Sequence, residues 1–375
     1  MISAEIARHG RTARIYLRPT GFVDAPFGYD GQTLRLAGGL IWFAMVEVIA
    51  AGADGRFATA LVPVERIDDF IDSLPEPQAG TARLQLDRIV APRTALALGE
   101  RVVRLDQPQV MGILNVTPDS FSDGAGLGDL PLAAADRAIA MSEAGAAIVD
   151  IGGESTRPGA KPVWEGDEIA RVVPVIERLR HAGIALSLDT RKGAVMAAGL
   201  AAGAQLINDV AALTYDPAAL DAAVAGRCPV VLMHHQGAPE TMQQDPRYRD
   251  VLLDVYDWLE ARIAEVVAAG VARERLLIDP GIGFGKSLRH NLAILNGLSM
   301  LHGLGLPIVL GASRKRTIGA LSNEAPVEQR LGGSVALALL GAAQGVQLLR
   351  VHDVFETVQA LRVWRGLRDA ALTPG

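Results

Sequence analysis

From residue 110 onward, short apolar runs alternate with longer stretches in which apolar positions recur every three or four residues. The short runs fall at 110–116, 147–151, 185–188, 205–208, 229–233, 275–278, 307–310 and 347–351. They are apolar along their length rather than alternating, which predicts strands buried on both faces of a parallel sheet covered by helices. The stretches between them, such as 132–144, 165–182 and 248–269, are rich in Ala, Leu, Glu and Arg and read as amphipathic helices. Eight strand–helix units over about 265 residues match an α/β (β/α)8 TIM barrel. A doubly wound open sheet uses the same units, but has no need of eight of them.

Each of the eight apolar runs ends on polar residues: Asn115, Glu154, Asp189, Asn208, His234, Asp279, Ser313 with Lys315, and Arg350 with His352. Any one of these is explained as a helix cap or a turn residue. In a barrel all eight ends open on one face, which is where barrel enzymes keep their active sites.

The first part of the chain lacks this rhythm. A strand over 13–18, a second over 57–62 and a short helix over 64–73 are expected, while 34–49 fits either strand or helix. Residues 75–80 (Pro-Glu-Pro-Gln-Ala-Gly) read as a linker. We therefore divide the chain into a small α+β N-terminal appendage of unknown role, 1–92, and a barrel, 93–375. Residues 94–109 are expected to form a hairpin that plugs the barrel floor.

Composition narrows the setting. Half of the 375 residues are hydrophobic, enough for a large core. The formal net charge of −6, without a basic block, argues against a nucleic-acid partner, so an anionic substrate would need a local cationic pocket. The single cysteine, Cys228, excludes a disulfide framework within one chain and suits the reducing cytoplasm. The most apolar early stretch, 37–51, is too short to span a bilayer and is interrupted by Glu47, and the first residues lack a signal pattern, so no membrane association is expected.

Several strand ends continue into segments that packing alone does not explain. The first runs through Asn115-Val116-Thr117-Pro118-Asp119-Ser120-Phe121-Ser122-Asp123-Gly124 into a long loop, and such loops in compact domains are often functional. The second is Asp150-Ile151-Gly152-Gly153-Glu154-Ser155-Thr156-Arg157-Pro158-Gly159, with strand-end carboxylates followed by an Arg on a Pro–Gly turn. Asp279-Pro280-Gly281-Ile282-Gly283-Phe284-Gly285-Lys286 is Gly-rich, a weak signal by itself. Ser313-Arg314-Lys315 follows the seventh strand and Arg350-Val351-His352-Asp353 ends the eighth. Two adjacent basic strand ends in an acidic protein favour an anion pocket.

These segments, in this order, together with Asp189, Asn208 and Met233-His234, resemble the dihydropteroate synthases over about 94–367. The resemblance implies an enzyme of folate biosynthesis, a transferase that joins a pterin diphosphate to p-aminobenzoate. It implies a pterin pocket of Asp189, Asn208, Met233, Asp279, Phe284, Lys315 and Arg350, with Asp189, Lys315 and Arg350 carrying the chemistry. It assigns the diphosphate to Asn115, Arg350 and His352, with Mg2+ as cofactor and Asn115 as the metal ligand. It assigns p-aminobenzoate to Phe121, Thr156, Arg157, Pro158, Ser313 and Lys315, and it suggests a homodimer through the late outer helices. The chain departs from the family pattern at Asp209-Val210-Ala211-Ala212, where Ser-Gly is frequent, at His235, and at Thr317. Methyltetrahydrofolate–corrinoid methyltransferases share the barrel and its Asp and Asn strand ends. They should lack the Thr117–Gly124 and Ser155–Gly159 loops and the Ser-Arg-Lys motif found here. A catalytically silent pterin-binding paralogue is the remaining alternative.

Overall fold

The protein is described by a computed structural model covering residues 2–117, 130–155, 162–237 and 241–373. The appendage begins with helix α1 (Ile2–His9) and builds an antiparallel sheet of β1 (Arg14–Val23), β2 (Leu34–Arg35), β3 (Trp42–Gly52) and β4 (Gly55–Pro63). Helices α2 (Ile67–Asp72) and α3 (Gln78–Val90) complete it. The ambiguous stretch 34–49 resolves into two strands, β2 and the start of β3, joined by a turn over 36–41; β3 is the central strand, paired with β1 along one edge and with β2 and β4 along the other. Its β-branched residues are buried on both faces: Val46 and Val48 inside the appendage, Ile49 against the barrel. The linker reading of 75–80 is corrected: Pro75-Glu76-Pro77 leads straight into α3, and a proline just ahead of a helix is a start signal as well as a breaker.

A small hairpin follows, β5 (Leu96–Leu98) and β6 (Arg101–Val103). Its Leu96, Leu98 and Val103, with Leu105 just beyond, pack against Met111, Ile148, Leu206, Val231, Leu277, Val309 and Leu348 from inside the barrel floor, the plug expected from the sequence.

The barrel strands are β7 (Gln109–Asn115), β8 (Ile148–Gly152), β9 (Leu186–Asp189), β10 (Leu206–Asp209), β11 (Val230–Met233), β12 (Leu276–Asp279), β13 (Val309–Leu310) and β14 (Leu348–Val351). All are parallel, in the order β12-β11-β10-β9-β8-β7-β14-β13. Closure comes from a parallel bridge between Ile278 and Ile308, supported by Ile278 N–H donating to the Pro307 carbonyl at 3.0 Å. The outer layer is α4 (Leu130–Glu143), α5 (Glu165–Leu179), α6 (Gly193–Ala202), α7 (Pro217–Gly226), α8 (Val251–Ala268), α9 (Leu288–Asn296), α10 (Arg316–Leu321), α11 (Leu331–Ala343) and α12 (Val354–Leu372). None of the described helices is long and apolar enough to cross a membrane.

The appendage lies on α8 and on the 3₁₀ segment Leu298–Leu304. Tyr16 meets Tyr256 edge to face at 5.4 Å and donates its hydroxyl to Asp257 at 2.9 Å, while Ser299 Oγ donates to the Pro19 carbonyl at 2.8 Å. These contacts lie on the outer wall of the barrel, and Arg56 of β4 also pairs with Asp250 at the start of α8.

Candidate active site

Strand register puts Asn115, Gly152, Asp189 and Asn208 side by side on β7, β8, β9 and β10. On the opposite arc, Met233 pairs with Asp279. Arg350 connects Asp189 to Asp150 of β8. Its Nε donates to Asp150 and its Nη2 to Asp189, both at 2.6 Å. Asp150 also accepts from Ser187 Oγ at 2.5 Å and from Asn208 Nδ2 at 2.9 Å. Asp189 Oδ2 is thus engaged, whereas Asp189 Oδ1 is buried without a hydrogen-bond partner among the described residues. A buried carboxylate oxygen in that state is costly in the free protein and is a ready acceptor for a ligand N–H.

Gly311, just beyond β13, marks where the other charges converge. A Cβ there would lie 3.6 Å from Asp279 Oδ2, 3.9 Å from Lys315 Nζ and 4.0 Å from Arg350 Cδ. Lys315 Nζ donates to the Ile282 carbonyl and sits 4.6 Å from the Phe284 ring centroid. The loop carrying Ile282 and Phe284 is held from behind. Gly281 has φ +68°, and a Cβ on it would fall 1.9 Å from the His234 carbonyl oxygen, so only glycine fits that approach. Lys286 Nζ contacts His234 Nδ1 at 2.8 Å and donates to the Gly281 carbonyl at 2.9 Å and the Phe284 carbonyl at 3.1 Å.

Burial dominates the electrostatics. It raises the Asp189 carboxyl to about 7, with Arg350 opposing and Asp150 reinforcing the shift. It raises Asp279 as well, against the pull of Lys315. It lowers the Lys315 ammonium to about 8, with Asp279 opposing. Arg350 is held above its ordinary value by Asp150 and Asp189, which together outweigh its burial. His234 is pushed down to about 2 by burial and by Lys286, and so stays neutral and able to accept.

The sequence-predicted residues fall into four groups. Asp189, Asn208, Asp279, Phe284, Lys315 and Arg350 are joined by direct contacts or through Asp150 and Gly311, and Met233 is buried at the end of β11 beside Asp279. Ser313 and His352 are joined to each other: Ser313 Oγ accepts from His352 N–H at 3.2 Å and lies 3.1 Å from His352 Nδ1. Asn115 ends β7 at the same mouth. Phe121, Thr156, Arg157 and Pro158 lie outside the described residues.

Two features were not singled out from the sequence. Asp150 was read only as one of two strand-end carboxylates. A charged residue inside an apolar strand is the signal that could have found it, because Asp is rarely buried without partners. The second is a buried ion network beside β8 and β9: Glu154 pairs with Arg191 at 3.0 Å and Lys192 at 3.2 Å, Lys192 also pairs with Glu168, and Glu154 Oε1 accepts the Val163 N–H at 2.8 Å. Its members come from three elements, which no sequence spacing brings together.

Chemically, the mouth combines carboxylates that can face the N–H groups of a planar heterocycle, a cation at its ring face and a basic strand end for an anion. The family of pterin binding enzymes matches residues 111–352. The dihydropteroate synthase of Escherichia coli K12 is 49% identical over 260 residues, covering 69% of this chain and 91% of its own length. The structure of Xanthomonas albilineans dihydropteroate synthase with 4-aminobenzoic acid superposes with a TM-score of 0.69 at 50% identity, covering 74% of this chain and 98% of that one. The same enzyme in complex with 7,8-dihydropteroate gives a TM-score of 0.67 at 48% identity, covering 73% and 98%. A barrel, a cluster of charged strand ends and a sequence match of this extent lead to one assignment: the chain belongs to the dihydropteroate synthase family.

Proposed function

We propose that the chain condenses 6-hydroxymethyl-7,8-dihydropterin diphosphate with p-aminobenzoate, giving 7,8-dihydropteroate and diphosphate. The observation that carries this reading is the convergence of Asp189, with its unpartnered buried oxygen, Asp279, Lys315 and Arg350 on one pocket in a member of this family. The reaction is substitution at the pterin methylene carbon. The arylamine is a weak nucleophile, so departure of diphosphate runs ahead of attack. Catalysis then means stabilising a cationic pterin and a departing anion.

Asp189 and Asp279 bind the pterin N–H groups and stabilise the cation, Asn208 and Lys315 complete the edge contacts, and Met233, Phe284 and Arg350 lie against the ring. Arg350, His352 and Asn115 receive the diphosphate. Phe121, Thr156, Arg157, Pro158, Ser313 and Lys315 form the p-aminobenzoate side. Among the described residues no cluster of His, Cys, Asp or Glu is arranged to hold a metal ion. Mg2+, which favours substrate phosphates and water over protein cages, fits Asn115 as a single protein oxygen. When bound, it would neutralise charge on the leaving diphosphate.

Residues 1–92 act as an accessory unit rather than as part of the chemistry, and the enzyme works in the cytoplasm. It pairs with a second copy through α11 and α12, where Phe355, Val363 and Leu367 are each more than 60% exposed. Light scattering at micromolar concentration tests this, and a monomer would reject it. A two-substrate assay tests the reaction itself: product with the mass of dihydropteroate should appear only when both substrates are present. Release of diphosphate without coupling to p-aminobenzoate would reject the synthase reading.

A further inference from the structure

We infer that Asp150 is a positioning residue that fixes the hydrogen-bond polarity of the pterin pocket, and with it the choice between a 2-amino-4-oxo and a 2,4-diamino ring. This rests on the proposed pterin-binding function and extends it to a residue that has no direct access to the ligand.

The Asp150 side chain is fully buried, beneath the groups that line the pocket. Its side-chain hydrogen bonds among the described residues are all with donors: Ser187 Oγ at 2.5 Å on Oδ1, then Asn208 Nδ2 at 2.9 Å and Arg350 Nε at 2.6 Å on Oδ2. An ionised carboxylate only accepts. The Asn208 amide must therefore turn its NH2 group inward, which leaves Oδ1, at the other end of the planar amide, for the pocket. The same contact sets the guanidinium plane of Arg350. With Nε on Asp150, Nη2 reaches Asp189 Oδ2 at 2.6 Å and leaves Asp189 Oδ1 unpartnered.

Asp150 thus makes the wall along β9 and β10 a row of acceptors. Such a wall selects a ring that offers donors. A 4-oxo pteridine presents a ring N3–H beside its 2-amino group. A 4-amino pteridine presents a bare N3, whose lone pair would face an acceptor. A buried acceptor left facing another acceptor is heavily penalised, so discrimination should be strong.

Replacing Asp150 by Asn removes this constraint, because the new amide can accept at one end only and the Asn208 amide is free to turn. The test is calorimetric binding of 6-hydroxymethylpterin and 2,4-diamino-6-hydroxymethylpteridine to the full-length parent, Asp150→Asn, Asp150→Ser and Ser187→Ala. The parent should favour the oxo compound. In Asp150→Asn the affinity ratio should fall about tenfold, chiefly through weaker binding of the oxo compound. Asp150→Ser, which places no second amide beside Asn208, should show the same fall and stands in if Asp150→Asn does not fold. Ser187→Ala leaves the hold on Asn208 intact and should keep the parent ratio. A folded Asp150 variant whose ratio stays within twofold of the parent, or a Ser187→Ala protein that loses the preference, overturns the inference. A parent that binds neither compound and makes no product instead overturns the proposed function.

Discussion

Asp189 answers to two neighbours at once. Burial favours its neutral form, while Arg350 at 2.6 Å favours its anion. The proposed reaction needs the anion, to face a developing cation, and it needs Lys315 as the ammonium. With Asp189 at about 7 and Lys315 at about 8, kcat/KM should follow a narrow bell. On the acid side, falling pH protonates Asp189 and removes its charge. On the alkaline side, rising pH deprotonates Lys315 and removes its positive charge. A pH profile checks this, and Asp189→Asn should abolish the acid limb while lowering kcat more than it changes KM. An acid limb that persists in that variant would assign the titration elsewhere. Arg350→Ala should cost more than a surface arginine would. It removes the proposed diphosphate contact and leaves Asp150 and Asp189 without their shared cation, an expected loss of about ten- to 150-fold in kcat/KM. Steady-state kinetics within twofold of the parent would contradict the role.

At the level of the loop after β12, three glycines do different work. Gly281 and Gly285 are wedged against the 234–236 backbone: a Cβ would fall 1.9 Å from the His234 carbonyl oxygen in one case and 2.2 Å from the Gln236 carbonyl oxygen in the other. Gly283, at φ +84°, would meet only Lys315 Cδ at 3.3 Å. Gly281→Ala should therefore destabilise the fold severely. Gly283→Ala should add about 1–2 kcal/mol of left-handed strain and otherwise disturb the lysine. Thermal melts paired with kinetics test the contrast. Gly283→Ala should lose more activity than its modest drop in melting temperature explains, and equal destabilisation by the two substitutions would refute it. In the sequence this loop is only a weak Gly-rich signal, because the neighbouring backbone that demands glycine lies some fifty positions earlier.

Across the molecule, the appendage and the barrel share a wall. Tyr16, Ile49 and Ala51 belong to the barrel's own core, and Tyr256, Met300 and Leu301 are fully buried on the outer face that the appendage covers. The free edge of β1 is closed by a side chain: Gln85 of α3 accepts from Leu17 N–H and donates to the Ile15 carbonyl, each at 2.8 Å, as a neighbouring strand would. Gln85→Leu should leave those backbone groups buried and unsatisfied, at about 1–3 kcal/mol each, and lower the denaturation midpoint while kcat/KM stays at the parent value. A fall in activity without a fall in stability would give the appendage a direct part in the reaction. A chain starting at residue 93 should aggregate, since it would expose the apolar wall.

The strand rhythm, the hairpin plug and the polar strand ends were legible because each is local: burial on both faces of a strand leaves an uninterrupted apolar run, and a barrel brings every strand end to one face. Asp189, Asn208, Asp279, Lys315 and Arg350 could be marked from the sequence for that reason. Folding then set how these residues are paired. That Arg350 divides itself between Asp150 and Asp189, that Lys315 is held to the 280–286 loop, and that residues 42–52 become a central strand all depend on partners far along the chain. Burial and hydrogen-bond partnership arise only when distant segments meet, so no local pattern records them.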